Sequence, residues 1–307
     1  MRICIVGCGA VGSLFAAHLA LKGEAEVWAY DVWKEHTDAI RRNGLKLSGA
    51  AEFTAKLNAT SDPKELPRCD YGIVATKAIH TRHAIAQTVH AFGDTSAVCS
   101  VQNGVGNEEI LAQHVKYVIR GTTFPAGHPI APGHIGYDIK GDTWIGPFEP
   151  THTPMSKVEE LAGLMSRAGM NTIPLADARG AQWTKLIFNA STNPVGALTL
   201  LHHGAATRFA TTGKLFDDLI AEGEAVARAL NIELHGDPRQ MVQKGASAPG
   251  KHRASMLQDV LAKRPTEVDF MNGAIVRWGD QVGVPTPLNR ALWELVKGLE
   301  HSWTDPD

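Results

Sequence analysis

The sequence predicts an α/β fold in which a doubly wound sheet occupies the N-terminal part and an all-helical domain follows. Three observations support this prediction. A chain of 307 residues is longer than a single domain of about 100–200 residues. Strand and helix patterns alternate in the first half, and beyond a hinge at Asp177–Ala181 only helical patterns remain. We therefore predict two domains, residues 1–178 and 179–307, that share one cleft.

The first elements are a strand, a glycine turn, a helix and a second strand. Ile3–Val6 is a short continuous apolar run, which is typical of a strand buried on both faces of a parallel sheet. A helix then ends at Gly23, and a strand from Glu26–Tyr30 is closed by Asp31. Between the first strand and the helix lies the G-x-G-x-x-G segment Gly7-Cys8-Gly9-Ala10-Val11-Gly12. In this context the glycine pattern indicates a dinucleotide-binding site of the Rossmann type.

The three glycines have separate roles in such a site. Gly7 allows a tight turn, Gly9 lets the backbone approach a pyrophosphate, and Gly12 lets helix and strand pack closely. Because the helix N-terminus supplies amide donors, we predict cofactor contacts from the whole segment. Two alternatives stay open at this point: a glycine-rich turn that binds nothing, and the nucleotide site of a methyltransferase.

Two polar residues follow later strands of the predicted sheet. Strands are predicted at Tyr71–Thr76, Ala97–Val101 and Tyr117–Arg120, and Lys77 and Asn103 come after the first two of them. Ligands of doubly wound sheets bind beyond the carboxyl ends of the strands. Lys77 and Asn103 are therefore candidates to contact a cofactor, although either could be a solvated loop residue.

The remaining elements are predicted more coarsely. Gly127–Pro150 has the pattern of short antiparallel strands with turns, and Pro154–Ala168 that of a helix. Turns between the later helices are predicted at Gly204, Gly236-Asp237-Pro238, Pro249-Gly250 and Pro285. The acidic tail Asp305–Asp307 is expected to be frayed.

Composition excludes several classes of protein. A formal net charge of −2 lacks the basic field of a nucleic-acid-binding protein. No uncharged apolar run approaches the roughly 18 residues of a membrane helix, so no membrane partner is expected. The histidines lack partners at ligand spacing, so no metal is expected. The cysteines form no C-x-x-C pair, which indicates reduced thiols in a cytoplasmic protein; they are Cys4, Cys8, Cys69 and Cys99.

The helical half contains a line of polar residues. Lys185, Asn189 and Asn193 lie at i, i+4 and i+8, on one face of an otherwise very apolar helix predicted over Gln182–Asn193. A partly desolvated lysine is a good general acid for carbonyl reduction, and carboxamides can orient a carboxylate or hydroxyl without adding charge. The sequence therefore predicts a cleft wall, the alternative being a helix edge with two satisfied asparagines.

A second cluster surrounds Pro265, which suits the start of a helix. Ser255 lies in the preceding segment Ser255–Asp259, and Glu267 lies in Thr266–Gly273. On spacing alone, Glu267 could be simply an acid in the first turn of a helix, where the helix dipole favours negative charge, and Ser255 could be a helix cap.

Taken together, these segments resemble the ketopantoate reductases (2-dehydropantoate 2-reductases) over nearly the whole chain. The matching segments are Gly7–Gly12, Thr76-Lys77-Ala78, Gln102–Gly106, Trp183–Leu186, Asn189–Pro194, Ser255–Asp259 and Thr266–Gly273. The resemblance implies a Rossmann domain joined to a helical domain, an oxidoreductase that reduces a 2-oxo acid with a nicotinamide cofactor, and a role in pantothenate biosynthesis.

Individual roles follow from the resemblance. It implies that Lys185 is the proton donor to the ketone oxygen and that Glu267 is the glutamate of the catalytic cleft. Asn189, Asn193 and Ser255 match substrate contacts, whereas Lys77, Asn103 and Gly127 match positions that contact the cofactor. The Lys/Asn line on the helix leads to the same lysine independently.

Two departures from the family pattern affect specificity. His203 stands where the family turn usually presents a substrate-contacting asparagine, so His203 becomes a candidate substrate contact and the identity of the 2-oxo acid stays open. Alternatively, His203 only closes a turn before Gly204. Asp31 stands where members commonly place an arginine for the 2′-phosphate of NADP, which favours NAD(H) over NADP(H).

Three functions stay open at this stage. The first is NAD(P)H-dependent reduction of a branched 2-oxo acid such as 2-dehydropantoate. The second is an NAD-dependent 2-hydroxy acid dehydrogenase of the same family that acts on a mandelate-type or branched substrate. The third is a non-catalytic NAD-binding protein, against which the presence of the whole Lys/Asn/Ser/Glu set argues. A homodimer is compatible with the sequence, which leaves the oligomeric state and the physiological direction open.

Overall fold

The chain folds into two compact units. The computed structural model describes residues 1–23, 25–247 and 254–304. The first unit consists of Met1–Gln102 and Asn107–Ala178, and the second of Asn103–Gly106 and Arg179–Asp307. The unit boundary after Ala178 therefore lies inside the predicted hinge, but the short loop 103–106 groups with the second unit. The turn predicted at Pro249-Gly250 and the tail Asp305–Asp307 lie outside the described residues.

The strands of the first unit form two sheets. In chain order they are β1 (Arg2–Val6), β2 (Glu26–Tyr30), β3 (Leu45–Gly49), β4 (Phe53–Ala55), β5 (Asn58–Thr60), β6 (Cys69–Val74), β7 (Phe92–Ser100), β8 (Tyr117–Thr123), β9 (Ala126–Ala131), β10 (His134–Ile139), β11 (Thr143–Pro147) and β12 (Thr172–Pro174). The larger sheet has the order β12-β11-β8-β7-β6-β1-β2-β5. From β5 to β8 all neighbours are parallel, and the strand order reverses at β1. The predicted doubly wound Rossmann sheet is confirmed.

The helices of the first unit separate these strands. They are α1 (Ala10–Lys22), α2 (Lys34–Asn43), α3 (Thr81–Thr88), α4 (Asn107–Leu111) and α5 (Met155–Arg167). As predicted, α1 ends at Gly23, which adopts a left-handed conformation with φ +69°. Val6 is in register with both Tyr30 and Val74. The loops that follow β1, β2 and β6 therefore leave the same edge of the sheet.

The smaller sheet has the order β4-β3-β10-β9. The sequence predicts antiparallel strands only within Gly127–Pro150, but this sheet also recruits β3 and β4, and β10 pairs with β3 in parallel. Leu45 and Leu47 of β3 are fully buried, whereas Lys46 between them is exposed. One face of β3 is therefore apolar and packs into the core. The last strand of the predicted set, β11, instead joins the larger sheet antiparallel to β8.

The described residues of the second unit form helices, as predicted. They are α6 (Arg179–Thr199), α7 (His203–Ala206), α8 (Ala210–Ala229), α9 (Pro238–Ser247), α10 (Ser255–Leu261), α11 (Asn272–Val282) and α12 (Pro287–His301). Their apolar faces enclose a separate core that includes Leu186, Ile220, Ile275 and Val296.

One predicted helix boundary is wrong. Pro265 does not start a helix, because a short 3₁₀ helix, Val268–Phe270, comes first and α11 begins only at Asn272. The helix that contains the stretch Gln182–Asn193 extends beyond it, through Pro194. Proline lacks the N–H that would bind the carbonyl four residues earlier. At Ala190 the Nδ2 of Asn272 donates to that carbonyl instead, at 2.9 Å.

The described residues contain neither a membrane-spanning helix nor a metal cluster. Over the described ranges, no helix has both the length and the apolar character needed to cross a membrane. Nor does the described part of the chain contain a group of three or more His, Cys, Asp or Glu side chains that could hold a metal ion. The four cysteines are buried free thiols.

Candidate active site

The glycine segment between β1 and α1 has the geometry of a dinucleotide loop. Gly7 has φ +89°, which side chains rarely adopt, and a Cβ there would lie 2.6 Å from the Thr76 backbone nitrogen. A Cβ at Gly12 would overlap the Gly7 carbonyl oxygen. By contrast, a Cβ at Gly9 has no described protein atom within 4 Å. The protein therefore leaves space at Gly9, the position predicted for close approach of a pyrophosphate.

Behind this loop lies a buried relay that the sequence analysis missed. The Ser13 hydroxyl donates to the Cys8 carbonyl at 2.9 Å, and His36 Nε2 lies 3.3 Å from the same hydroxyl. The Gly133 N–H donates to His36 Nδ1 at 3.0 Å, so a neutral ring carries its proton on Nε2. Burial lowers the pKa of His36, which favours that neutral form. The Cys8 side chain points into this buried region, where burial raises its pKa to about 12.

Asp31 follows β2 and accepts a backbone hydrogen bond. Its Oδ1 binds the N–H of Trp33 at 2.8 Å, and α2 begins one residue later at Lys34. Trp33 is the N-cap of α2, so this bond binds the residue that precedes the helix and Asp31 does not cap α2 itself. Asp31 Oδ2 has no hydrogen-bond partner among the described residues, so this oxygen can accept from a ligand.

Lys77 lies on a loop that a buried glutamine holds. Lys77 is partly buried and precedes a short 3₁₀ helix, Ala78–His80. Gln102 Nε2 donates to the Thr76 carbonyl at 3.0 Å and lies 2.7 Å from Thr81 Oγ1. Gln102 lies in one of the segments that match the family, but the sequence predicted no role for it. Its contacts show that it supports the loop that carries Lys77.

Gly127 has a structural reason to be glycine. It pairs with Tyr137 of β10, and a Cβ at Gly127 would overlap the Gly136 carbonyl oxygen. These contacts do not test its predicted backbone contact with the cofactor, which stays a prediction.

In the second unit, α6 presents the predicted line of polar residues. Asn189 and Asn193 are 8% and 6% exposed, and Lys185 is partly buried. Burial lowers the pKa of Lys185 to about 8, and the opposing charge of Glu267 raises it. At neutral pH this lysine is therefore protonated, yet it releases its proton far more readily than a surface lysine.

Glu267 lies on the segment before α11, beside the loop 103–106. Asn103 Nδ2 donates to Glu267 Oε2 at 3.4 Å. The Val105 N–H donates to the Phe270 carbonyl at 3.0 Å and fixes that loop. The structure thus brings Asn103, predicted as a cofactor contact, to the acid of the Lys185–Glu267 pair, where the sequence analysis had grouped it with Lys77.

Two predicted substrate contacts have other surroundings. Ser255 is exposed and is the first residue of α10, so the capping alternative is wrong because Ala254 is the N-cap. The His203 ring lies 5.8 Å from that of Phe188 and 6.5 Å from that of Phe216, and Nε2 lies 2.9 Å from the Val242 carbonyl. His203 starts α7 and its ring connects helices, whereas a substrate contact stays a prediction.

Comparisons with known proteins agree with this chemistry. A family model described as ketopantoate reductase PanE/ApbA matches residues 3–150, and one for the C-terminal domain of the same family matches residues 177–300. The 2-dehydropantoate 2-reductase of Archaeoglobus fulgidus is 33% identical, over 97% of this chain and 98% of its own length.

Solved structures with a similar fold include a ketopantoate reductase and a D-mandelate dehydrogenase. A ketopantoate reductase from Ralstonia eutropha JMP134 superposes with a TM-score of 0.89 at 30% identity, and covers 99% of this chain and 100% of its own. A D-mandelate dehydrogenase with NADH and anilino(oxo)acetate superposes with a TM-score of 0.90 at 27% identity, with coverage of 99% and 100%.

The Rossmann sheet and the full-length similarity to 2-dehydropantoate 2-reductases identify this chain as an NAD(P)-dependent oxidoreductase that acts on a 2-oxo acid. More narrowly, this chain belongs to the ketopantoate reductase family.

Proposed function

We propose that this enzyme reduces a branched 2-oxo acid, with 2-dehydropantoate as the first candidate, to the 2-hydroxy acid with NADH. The observation that carries the proposal is Lys185, whose pKa near 8 allows proton transfer at neutral pH. The dinucleotide would be held by the glycine segment, Asp31 and Lys77. The open space at Gly9 supports this assignment because a backbone without a side chain there leaves room for a pyrophosphate.

The protein residues divide the chemistry. The reduced nicotinamide, when bound, supplies the hydride. Lys185 donates its proton to the ketone oxygen as negative charge develops there, and in the reverse direction the neutral amine accepts it. Glu267 favours the protonated lysine, and Asn103 holds the Glu267 carboxylate. Asn189 and Asn193 are proposed to orient the substrate carboxylate without adding charge.

A preference for NADH over NADPH belongs to the same proposal. A 2′-phosphate near Asp31 would meet a like charge, and Lys34 is paired with Asp38 at 2.6 Å, so it is not placed to offset Asp31. We expect a preference of about 100-fold in kcat/KM, since like-charge contacts cost several kcal/mol and each 1.4 kcal/mol is about tenfold. Equal kinetics with both cofactors would leave Asp31 only its hydrogen bond with the Trp33 N–H.

The substrate is tested by initial rates with a panel of 2-oxo acids, each measured with NADH and NADPH. We expect 2-dehydropantoate to have the highest kcat/KM. A second candidate, oxidation of a mandelate-type 2-hydroxy acid, is favoured by the likeness to a D-mandelate dehydrogenase. Highest activity with phenylglyoxylate, the oxo acid of mandelate, would select that candidate.

The surroundings of the enzyme complete the proposal. The four buried thiols are consistent with a cytoplasmic location, where cysteines stay reduced. A homodimer is proposed as the solution state, and size-exclusion chromatography with light scattering tests it.

A further inference from the structure

One face of α12 carries three side chains that bind the segment around Glu267. Trp293, Lys297 and Glu300 follow at i, i+4 and i+7, so they lie on the same side of the helix. Trp293 Nε1 donates to Asp269 Oδ1 at 2.7 Å, and Lys297 Nζ lies 3.2 Å from Asp269 Oδ2. This set is called the α12 clamp below.

Glu300 binds the other side of the same segment. Its Oε1 accepts from both the backbone N–H and the hydroxyl of Thr266, at 2.7 and 2.6 Å. Its Oε2 pairs with Lys297 Nζ at 2.6 Å. Thr266 is 1% exposed, so these bonds are shielded from water. The α12 clamp therefore holds the residue before Glu267 and the residue two positions after it.

We propose that Glu300 and Lys297 are positioning residues that fix Glu267 relative to Lys185, a role that rests on the proposed proton transfer by Lys185. Glu267 Oε2 accepts a hydrogen bond from Asn103 at 3.4 Å. The Glu267 backbone lies between Thr266 and Asp269, and α12 binds both of these residues. The clamp thus acts on the position of the Glu267 carboxylate through its backbone.

The electrostatic consequence has a definite sign. Among the described residues, the charged groups near this segment include Lys185 on α6, Asp259 on α10, Asp269 beside Glu267, Arg277 on α11, and Lys297 and Glu300 on α12. Arg277 Nη2 donates to the Asp269 carbonyl at 2.8 Å. Glu267 raises the pKa of Lys185 against the effect of burial. If the clamp is lost and the carboxylate moves away, burial acts alone and the pKa of Lys185 falls.

The experiment compares Glu300→Ala with Glu300→Gln, using Glu294→Ala as a control on an exposed position of the same helix. The pH dependence of kcat is measured for each, and Lys185 is titrated by NMR in ¹³C-lysine-labelled protein without cofactor. Glu300→Ala should lower kcat about tenfold at pH 8 and move the Lys185 titration to lower pH. Glu300→Gln keeps the acceptor for Thr266 and should titrate near wild type, as should Glu294→Ala.

Two outcomes would overturn or separate the proposals, and a second variant replaces Glu300→Ala if that protein does not fold. An unchanged Lys185 titration in folded Glu300→Ala would give the clamp a purely structural role. If Glu300→Ala does not fold, Lys297→Met, which cuts the link between Glu300 and Asp269, takes its place with the same criterion. A failure of the proposed function is recognised separately, because Lys185→Ala would then keep its turnover while the clamp variants could still shift the titration.

Discussion

The two units of this enzyme carry their functional groups in different ways. In the first unit the proposed cofactor contacts are backbone amides of the glycine segment, and the buried Cys8 side chain lies beside the Ser13 hydroxyl. In the second unit the groups proposed to act in catalysis are the side chains of Lys185, Glu267 and Asn103, which come from three distant parts of the chain. A backbone site is encoded in adjacent residues, whereas a side-chain site needs the tertiary fold to assemble it.

This difference determines how each unit should respond to mutation. In the glycine segment, an added atom is expected to weaken cofactor binding, because the proposed site uses the open space at Gly9. On α6, removal of the Lys185 amine is expected to slow the chemistry, because Lys185 is the proposed proton donor. Mutations of the two kinds therefore separate cofactor binding from chemistry.

The largest expected effect is that of Lys185→Ala. Loss of a general acid typically reduces kcat by about 100- to 10,000-fold, and we expect a value in that range. Cofactor affinity should survive, because the glycine loop belongs to the first unit. Steady-state kinetics with saturating NADH measure the first quantity and fluorescence titration the second.

The control for this variant is Lys214→Ala on α8. Lys214 is 76% exposed and pairs with Asp218 on the surface, so its removal should leave kcat unchanged. More than about a tenth of wild-type turnover in Lys185→Ala would remove this lysine from the mechanism.

The next largest effect is expected from alanine substitutions at two glycines of the segment Gly7–Gly12, which should affect different properties. Gly9→Ala places a methyl group in open space, so it should fold normally but weaken NADH binding about tenfold, because the methyl occupies the approach of the pyrophosphate. Gly12→Ala would overlap the Gly7 carbonyl oxygen, so it should lower the thermal stability first. Thermal unfolding and NADH titration of both variants make the comparison. A Gly9→Ala protein with wild-type affinity would contradict the proposed pyrophosphate position.

The sequence predicted the first unit well where the pattern is local. The strand Glu26–Tyr30 and the cap at Gly23 were placed correctly because β alternation and a terminal glycine are properties of adjacent residues. The pairing of β3 with β10 could not be predicted, because these strands are about 90 residues apart and their contact depends on the whole fold.

In the second unit, α6 shows where local rules are overridden. Proline inside a helix normally costs a backbone hydrogen bond, yet α6 continues past Pro194, and Asn272 supplies the hydrogen bond to the Ala190 carbonyl that proline cannot make. Asn272 is in turn held by Asn289 Oδ1 at 3.0 Å. Asn272 and Asn289 lie far from Pro194 in the sequence, so the local sequence around Pro194 could not predict that the helix continues. The line Lys185, Asn189 and Asn193 was nevertheless visible, since helical spacing alone brings it to one face.

The pH dependence of kcat tests the Lys185–Glu267 pair. Reduction needs the ammonium form, so kcat should fall as pH rises through about 8, the pKa that burial produces. Glu267→Gln removes the charge that raises this pKa, so the fall should begin at lower pH. Oxidation of the 2-hydroxy acid needs the neutral amine of Lys185, so kcat for oxidation should rise as pH rises through about 8. Profiles of the two proteins with saturating substrates provide the measurement, and coincident profiles would show that Glu267 does not act on Lys185 electrostatically.

The smallest expected effect on catalysis is that of His203→Asn. The contacts of His203 indicate an effect on stability more than on substrate recognition. The His203 ring packs near Phe188 and Phe216 and its Nε2 binds the Val242 carbonyl at 2.9 Å. His203→Asn loses that bond, which is worth about 1 kcal/mol, so the thermal midpoint should fall by a few degrees.

The ratio of kcat/KM for 2-dehydropantoate to that for the best other 2-oxo acid distinguishes packing from recognition at His203. If the ring serves mainly to connect helices, this ratio changes less than about threefold in His203→Asn, and we expect this result. A matched control is His202→Asn: His202 Nδ1 accepts from the Ala205 N–H at 3.2 Å, and asparagine can cap that helix equally well. The control should therefore keep both stability and ratio. A shift toward 2-dehydropantoate well beyond threefold in His203→Asn would instead place the imidazole in contact with substrate, because a lost polar partner discriminates between substrates by more than packing can.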